Sequence, residues 1–191
     1  MHGYHDQHGK FPPAVVYGKD GEPLYSWRVL ILPYIGEDGL FAEFKLDEPW
    51  DSPHNILLLD RRPSIYAPPS RYARKIAPTQ TYMRVFVGEG TPFESPQGMS
   101  MNSITDGTSN TFLIIEAGTP VPWTKPEELV YSAAQPLPDL PGPFANLIRI
   151  GFADASVHTI PRPFNETAFR AAITRNGGEK LSFDAFECVG R

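Results

Sequence analysis

Apolar and polar positions follow two periods along this chain, and each period predicts a kind of element. Ala14 to Tyr17 reads as a short strand, followed by the turn formers Gly18-Lys19-Asp20-Gly21-Glu22-Pro23. Ser26 to Leu32 is apolar enough for a helix or a buried strand, and the reading leans to helix. Leu40, Phe41 and Phe44 recur at helical spacing, which predicts a short amphipathic helix over Glu37 to Phe44. Asp51-Ser52-Pro53 reads as a helix start, with Ser52 as N-cap and Pro53 in the first turn, running through Ile56 to about Asp60. Thr81 to Gly88 and Thr111 to Ala117 are rich in β-formers, and the turn Asp106 to Asn110 introduces the second of them. Between Thr119 and Pro143, seven of 25 residues are proline, which predicts a long surface excursion without regular structure.

Leu147 to Ala153 and Ser156 to Ile160 predict a hairpin that turns at Asp154-Ala155. The last helix is the most fully specified element. Asn165 is its N-cap, Phe164 packs on Phe169, Glu166 pairs with Arg170, and Asn176-Gly177 supplies a left-handed stop. Met1 to Gly9 reads as the frayed end of a helix or an entry loop, because Lys10-Phe11-Pro12-Pro13 forces extended backbone. The expectation is one α+β domain over residues 1–191, with a small antiparallel sheet packed on short helices and long proline-rich loops.

Composition narrows the function classes. With 191 residues, 41% of them hydrophobic, the chain can bury a core without metal or disulfides. A net charge of −5 argues against a nucleic-acid binder driven by charge. The longest aliphatic runs, Val29 to Leu32 and Ile56 to Leu59, are far too short to cross a bilayer. Met1-His2-Gly3-Tyr4-His5 lacks the regions of a signal peptide, so export would need a signal outside these residues, the alternative being a cytoplasmic protein. Cys188, the single cysteine, forms no internal disulfide and reads as a packing residue.

Several groups carry candidate chemistry. Glu37, Asp38, Glu43, Asp47, Glu48 and Asp51 face only Lys45 within one stretch, and Asp47, Glu48 and Asp51 are the candidate ligands of a structural calcium ion. The spacing is not that of an EF-hand, and a solvated acidic face is the alternative. Asp60 to Arg84 is the opposite case, with Arg61, Arg62, Arg71, Arg74, Lys75 and Arg84 against Asp60. Arg71 and Arg74 are candidate interaction residues, and the two islands could meet across a subunit contact. Trp27, Trp50 and Trp123 offer broad faces for a glycan or a peptide, or else anchor loops.

The remaining groups are weaker. His2, His5 and His8 lack the spacing of a zinc site and read as an exposed helix end. Glu116, inside an apolar strand, must face solvent, find a cation or bind the N–H groups of the preceding turn, and the last is the leading expectation. No nucleophile elbow and no zinc-protease motif is present, so catalysis is not expected; Asp154, Ser156 and His158 read as hairpin residues.

Five strings resemble a large paralogous family expanded in planctomycete bacteria, which has no assigned biochemical function and is sometimes filed under a solute-binding-protein-like name. They are Tyr4-His5-Asp6 with Phe11-Pro12-Pro13-Ala14, Ser26-Trp27-Arg28-Val29-Leu30 with Leu32-Pro33-Tyr34, and Leu46 to Asn55. The other two are Asp106 to Thr111 with Glu116, and Ile173 to Glu179. The resemblance implies a pseudopilin-like head behind a prepilin-type helix, of which Met1 to Gly9 would be the tail. It therefore implies a place in the cell envelope and assembly with itself or with other pseudopilin-like subunits.

Many relatives carry an Asp-Gly pair preceded ten residues earlier by His, where this chain has Asp154-Ala155 and Phe144. Asp47-Glu48-Pro49-Trp50-Asp51-Ser52-Pro53 is also similar to a string in the calcium-binding major pseudopilins of type II secretion. The leading expectation is a non-enzymatic assembly or surface-display domain. The alternative is a soluble module that binds a glycan or peptide through the Trp-lined loops and the 119–143 excursion.

Overall fold

Proline and glycine cut the chain into short elements that only tertiary packing can hold. A computed structural model describes residues 1–69, 76–179, 181 and 183–186. Helix α1 (His2–His8) stops at Gly9, whose φ of 71° lets the chain turn into the extended Lys10 to Pro13 segment. Strands β1 (Val15–Tyr17) and β2 (Pro23–Ser26) form an antiparallel hairpin around the expected turn. The Ser26 hydroxyl accepts from the Arg28 N–H and caps α2 (Trp27–Leu30), so the helical reading of this segment holds. A 3-10 turn over Leu32–Ile35 and α3 (Asp38–Glu43) follow. After Ser52 the structure departs from the expected α-helix. Ser52 Oγ accepts from Asn55 N (3.1 Å), but the segment Asn55–Arg61 winds as a 3-10 helix.

Thr81 to Gly88 is two strands. β3 (Gln80–Arg84) lies in the main sheet, and β4 (Phe86–Val87) leaves it. The break falls at Val85 because its N–H is taken by the buried carboxylate of Glu128 (2.9 Å) and its C=O by Leu129 N (3.0 Å). β5 (Phe112–Pro122) runs on into the segment expected to lack regular structure, and β6 (Leu129–Val130) lies within that segment, parallel to β4. Proline is tolerated here because Pro120 falls in the register break between Glu116 and Val121, and Pro122 is the last residue of β5, opposite Gln80. β7 (Leu147–Phe152) and β8 (Val157–Pro161) form the expected hairpin, with Ala155 at φ 71°. The main sheet is antiparallel in the order β3-β5-β7-β8, and the fold class is α+β.

α4 (Glu166–Ile173) packs Phe169, Ala172 and Ile173 on this sheet, against Ile148, Ile150 and Phe152. Asn165 Oδ1 accepts from Thr167 N and Ala168 N, Phe164 stacks on Phe169 at 4.3 Å, and Arg170 Nε donates to Glu166 at 2.8 Å. The stop differs from expectation. Thr174 leaves the helix extended, and the left-handed residue is Gly178. The Asp106 carboxylate accepts from Gly177 N (2.7 Å) and Gly178 N (2.8 Å), so the 106–110 turn, closed by Asn110 Nδ2 on Asp106 O, also fixes this exit.

A second apolar cluster, beside the first, gathers Phe11, Trp27, Val29, Leu32, Tyr66 and Trp123. Arg28 sits at its base with no exposed surface. It donates from Nε to Trp123 O (2.7 Å), from Nη1 to Met83 O (2.7 Å) and from Nη2 to Lys125 O (2.9 Å), and Nη1 lies 2.9 Å from Glu128 Oε1. Burial pushes the Glu128 carboxyl up, against the pull of Arg28 and the Val85 N–H.

Glu116 does not reach the turn. It stands opposite Arg149 in the β5–β7 register, with its Oε2 3.5 Å from the guanidinium, because the ladder brings these two residues face to face. Burial pushes its carboxyl up and Arg149 pulls the other way.

Two outcomes are expected. Arg28→Met lowers stability in urea unfolding by about 3–5 kcal/mol, because it strands a buried carboxylate and three carbonyls; Glu128→Gln, which keeps the shape and the carbonyl bonds, costs less. Equal costs would contradict this account. The raised Glu116 pKa stabilises the fold below the ordinary carboxylate range, and that contribution is lost as pH rises through the raised value. Glu116→Gln therefore matches the parent near pH 4 and gains on it towards about pH 8 in thermal unfolding.

Candidate functional site

Two loops far apart in sequence meet beside the β1–β2 hairpin. The turn is closed by Gly18 N on Glu22 O (2.8 Å) and Gly21 N on Gly18 O (3.0 Å). The second loop, Lys45 to Ser52, is shaped by one buried amide. Asn55 Nδ2 lies 3.0, 3.2 and 3.0 Å from the carbonyls of Lys45, Glu48 and Pro49, and its Oδ1 accepts from Lys45 N at 3.0 Å. Trp50 N then donates to Leu24 O (2.7 Å) and fastens this loop to the outer edge of β2. Between turn and loop lies an open cleft of about 940 Å³, lined by Tyr17, Asp20, Glu22, Asp47, Trp50 and Asp51 among others.

The four carboxylates are exposed, Lys19 is the one basic side chain among the described lining residues, and Tyr17 and Leu46 are 50% and 38% exposed. Tyr25, a buried residue of β2, has its phenol pushed up to about 12 by burial first and then by Tyr4 and Asp47. The cleft thus pairs aromatic and aliphatic surface with a concentration of negative charge.

The expected calcium ligands divide. Asp47 and Asp51 line the cleft, whereas Glu48 pairs with Lys45 at 3.0 Å and is held below the usual carboxylate range by the Ser52 hydroxyl and by Lys45. Among the described residues no group of three or more His, Cys, Asp or Glu side chains is arranged to hold a metal ion. The tryptophans divide as well. Trp27 and Trp123 have no exposed surface, Trp123 stacking on Tyr66 at 5.8 Å, so they anchor the core; Trp50 alone reaches the cleft. Arg71 and Arg74, with Lys75, lie outside the described residues, as does Cys188.

Of the other basic positions, Arg61 pairs with Glu43 and Arg62 donates to the Gln80 carbonyl. Arg84 is buried, 4.0 Å from Glu128, so its charge serves the interior. The three N-terminal histidines take separate partners: His2 the carbonyl of Ala153, His5 the N–H of Met101, and His8 the hydroxyl of Tyr34. Ser156 donates to Asp154 at 2.6 Å within the β7–β8 turn.

Sequence reasoning did not single out Tyr17, Asp20, Glu22 or Asn55. Asp20 and Glu22 read as turn residues, and nothing local says that the turn faces Asp47 and Asp51. The signal available was Asn55, an amide among chain carbonyls just after an acidic loop.

The cleft falls wholly within the part of the chain that has known counterparts. Residues 1–89 match a family model described as a protein of unknown function, DUF1559. The match takes in both cleft loops and ends before the strings at Asp106 and Ile173. No curated protein and no solved structure matches the chain. Among the described residues no helix is long and apolar enough to cross a membrane.

Proposed function

We propose that this chain is a non-catalytic recognition and assembly domain, pseudopilin-like and placed in the cell envelope, whose cleft holds a cationic segment of a partner. The observation that carries the reading is the set of four exposed carboxylates, Asp20, Glu22, Asp47 and Asp51, gathered around Tyr17 and Trp50. A single exposed ion pair contributes little, but converging like charges in a concave site build a field that attracts a cation. Aromatic faces add an attraction of about 0.5–2 kcal/mol for each ammonium or guanidinium placed over them. The family match supports a family of unknown function and supplies no activity of its own.

Acetyl-tetralysine amide should bind and change the emission of Trp50, the tryptophan that lines the cleft, while acetyl-tetraglutamate amide should not. Affinity should fall about tenfold or more between low and high salt as the Debye length shrinks, and Asp47→Asn with Asp51→Asn should weaken it by a similar factor. Salt-independent binding, or an unaltered affinity in the double variant, would exclude the cleft as the cation site.

The envelope assignment has its own check. An antibody to this domain should detect, in fractionated source cells, a membrane-associated form heavier than 21.3 kDa. A cytosolic form of that mass would place the protein elsewhere.

A further inference from the structure

Among the described residues, strand β1 is paired on one edge only. Trp27 N donates to Ala14 O (3.1 Å) and Gly18 N to Glu22 O (2.8 Å), so the main-chain groups of residues 14, 16 and 18 face β2. Alternation turns the N–H and C=O of Val15 and Tyr17 to the other side. The same side is used just before the strand, where Phe11 N donates to Met99 O (2.8 Å). Gly98 lets that loop come so close that a Cβ there would collide with the Phe11 carbonyl. Between β1 and residues 93–97 of that loop lies a second groove of about 530 Å³. Ala14, Val15, Val87, Phe93 and Pro96 line it, and Tyr17 closes its end. Tyr17 is also a wall of the acidic cleft, so one ridge separates the two.

We infer that the groove takes an extended peptide segment of a partner protein as a third strand of the β1–β2 sheet. The segment pairs with the main chain of Val15 and Tyr17, lays small or β-branched side chains against Val87 and Phe93, and carries lysine or arginine past Tyr17 towards Asp20 and Glu22. Main-chain pairing gives such a site its affinity and the alternate side-chain pockets its selectivity. Charge decides the occupant: the end of the groove at Tyr17 opens on carboxylates, so the segment is basic at that end. An antiparallel strand starts at Tyr17, which puts the basic residues first. The basic end rests on the reading of the acidic cleft given above, whereas the strand pairing does not.

The probe is acetyl-Lys-Lys-Thr-Val-Thr-Val-Thr-amide, with a second peptide N-methylated at alternate amides and a third with both lysines replaced by glutamine. In the ¹⁵N-labelled chain, the first peptide should slow hydrogen exchange at the amides of Val15 and Tyr17 by about tenfold or more. N-methylation should weaken binding at least tenfold, as should Tyr17→Pro, whose fold is checked by circular dichroism. Equal binding of the N-methylated peptide overturns the inference whether or not Tyr17→Pro folds, and so does binding without protection at Val15 and Tyr17. If the glutamine peptide binds more weakly but still discriminates against its own N-methylated form, strand pairing stands. If it binds as tightly as the lysine peptide, the basic end is wrong and the cationic reading of the cleft falls with it.

Discussion

A buried guanidinium holds this fold together. Arg28 projects from a one-turn helix into the interior and ties down the main chain at Met83 and, far along the chain, at Trp123 and Lys125, two segments with no covalent reason to be near one another. Taking a charge out of water is costly unless its donors find acceptors, and here the carbonyls and Glu128 accept from all three guanidinium nitrogens. Glu128 in turn takes the N–H of Val85, which ends one sheet and begins another. The departure of β4 from β3, the parallel pairing of β4 with β6 and the burial of Trp123 all follow from this one ion pair and its carbonyls.

The two apolar clusters divide the labour. The sheet and α4 form a conventional layered core around Ile148, Ile150, Phe152 and Phe169. The other cluster is built from turns and very short helices, so it depends on specific polar bonds: Arg28 N on the Ser26 hydroxyl, Tyr66 hydroxyl on the Arg28 carbonyl, Trp123 Nε1 on the Leu59 carbonyl. Both candidate grooves sit on this second body, where irregular backbone leaves concave surface. A regular sheet covered by a helix offers little of it.

What could be read from the sequence follows the range of each interaction. The start of the last helix, the β7–β8 hairpin and the β1–β2 turn rest on neighbours within a few residues, and their caps and turns were legible; the exit of that helix was not, because it hangs on Asp106, 71 residues from Gly177. The split of Thr81 to Gly88 was not, because it depends on Glu128, more than 40 residues away. Nor was Glu116, whose partner is set by strand register, nor the strands within the proline-rich stretch, which survive because their neighbours supply the pairing. Arg28 lies in the family-like string Ser26 to Leu30, yet a lone arginine in an apolar run carries no mark of what it will bind. The candidate site was half legible: Asp47, Asp51 and Trp50 were singled out, while the turn that completes the cleft came only from the bond between Trp50 and Leu24.

Asn55 gives the acidic loop a particular thermodynamic character. Because one buried amide already satisfies the carbonyls of Lys45, Glu48 and Pro49, this wall of the cleft has its final shape before any partner arrives. A partner therefore spends little of its binding free energy on ordering the wall. The repulsion among its carboxylates has been met in advance, at folding. That stored repulsion is what a cation relieves, so the protein with an occupied cleft should be harder to unfold than the empty one.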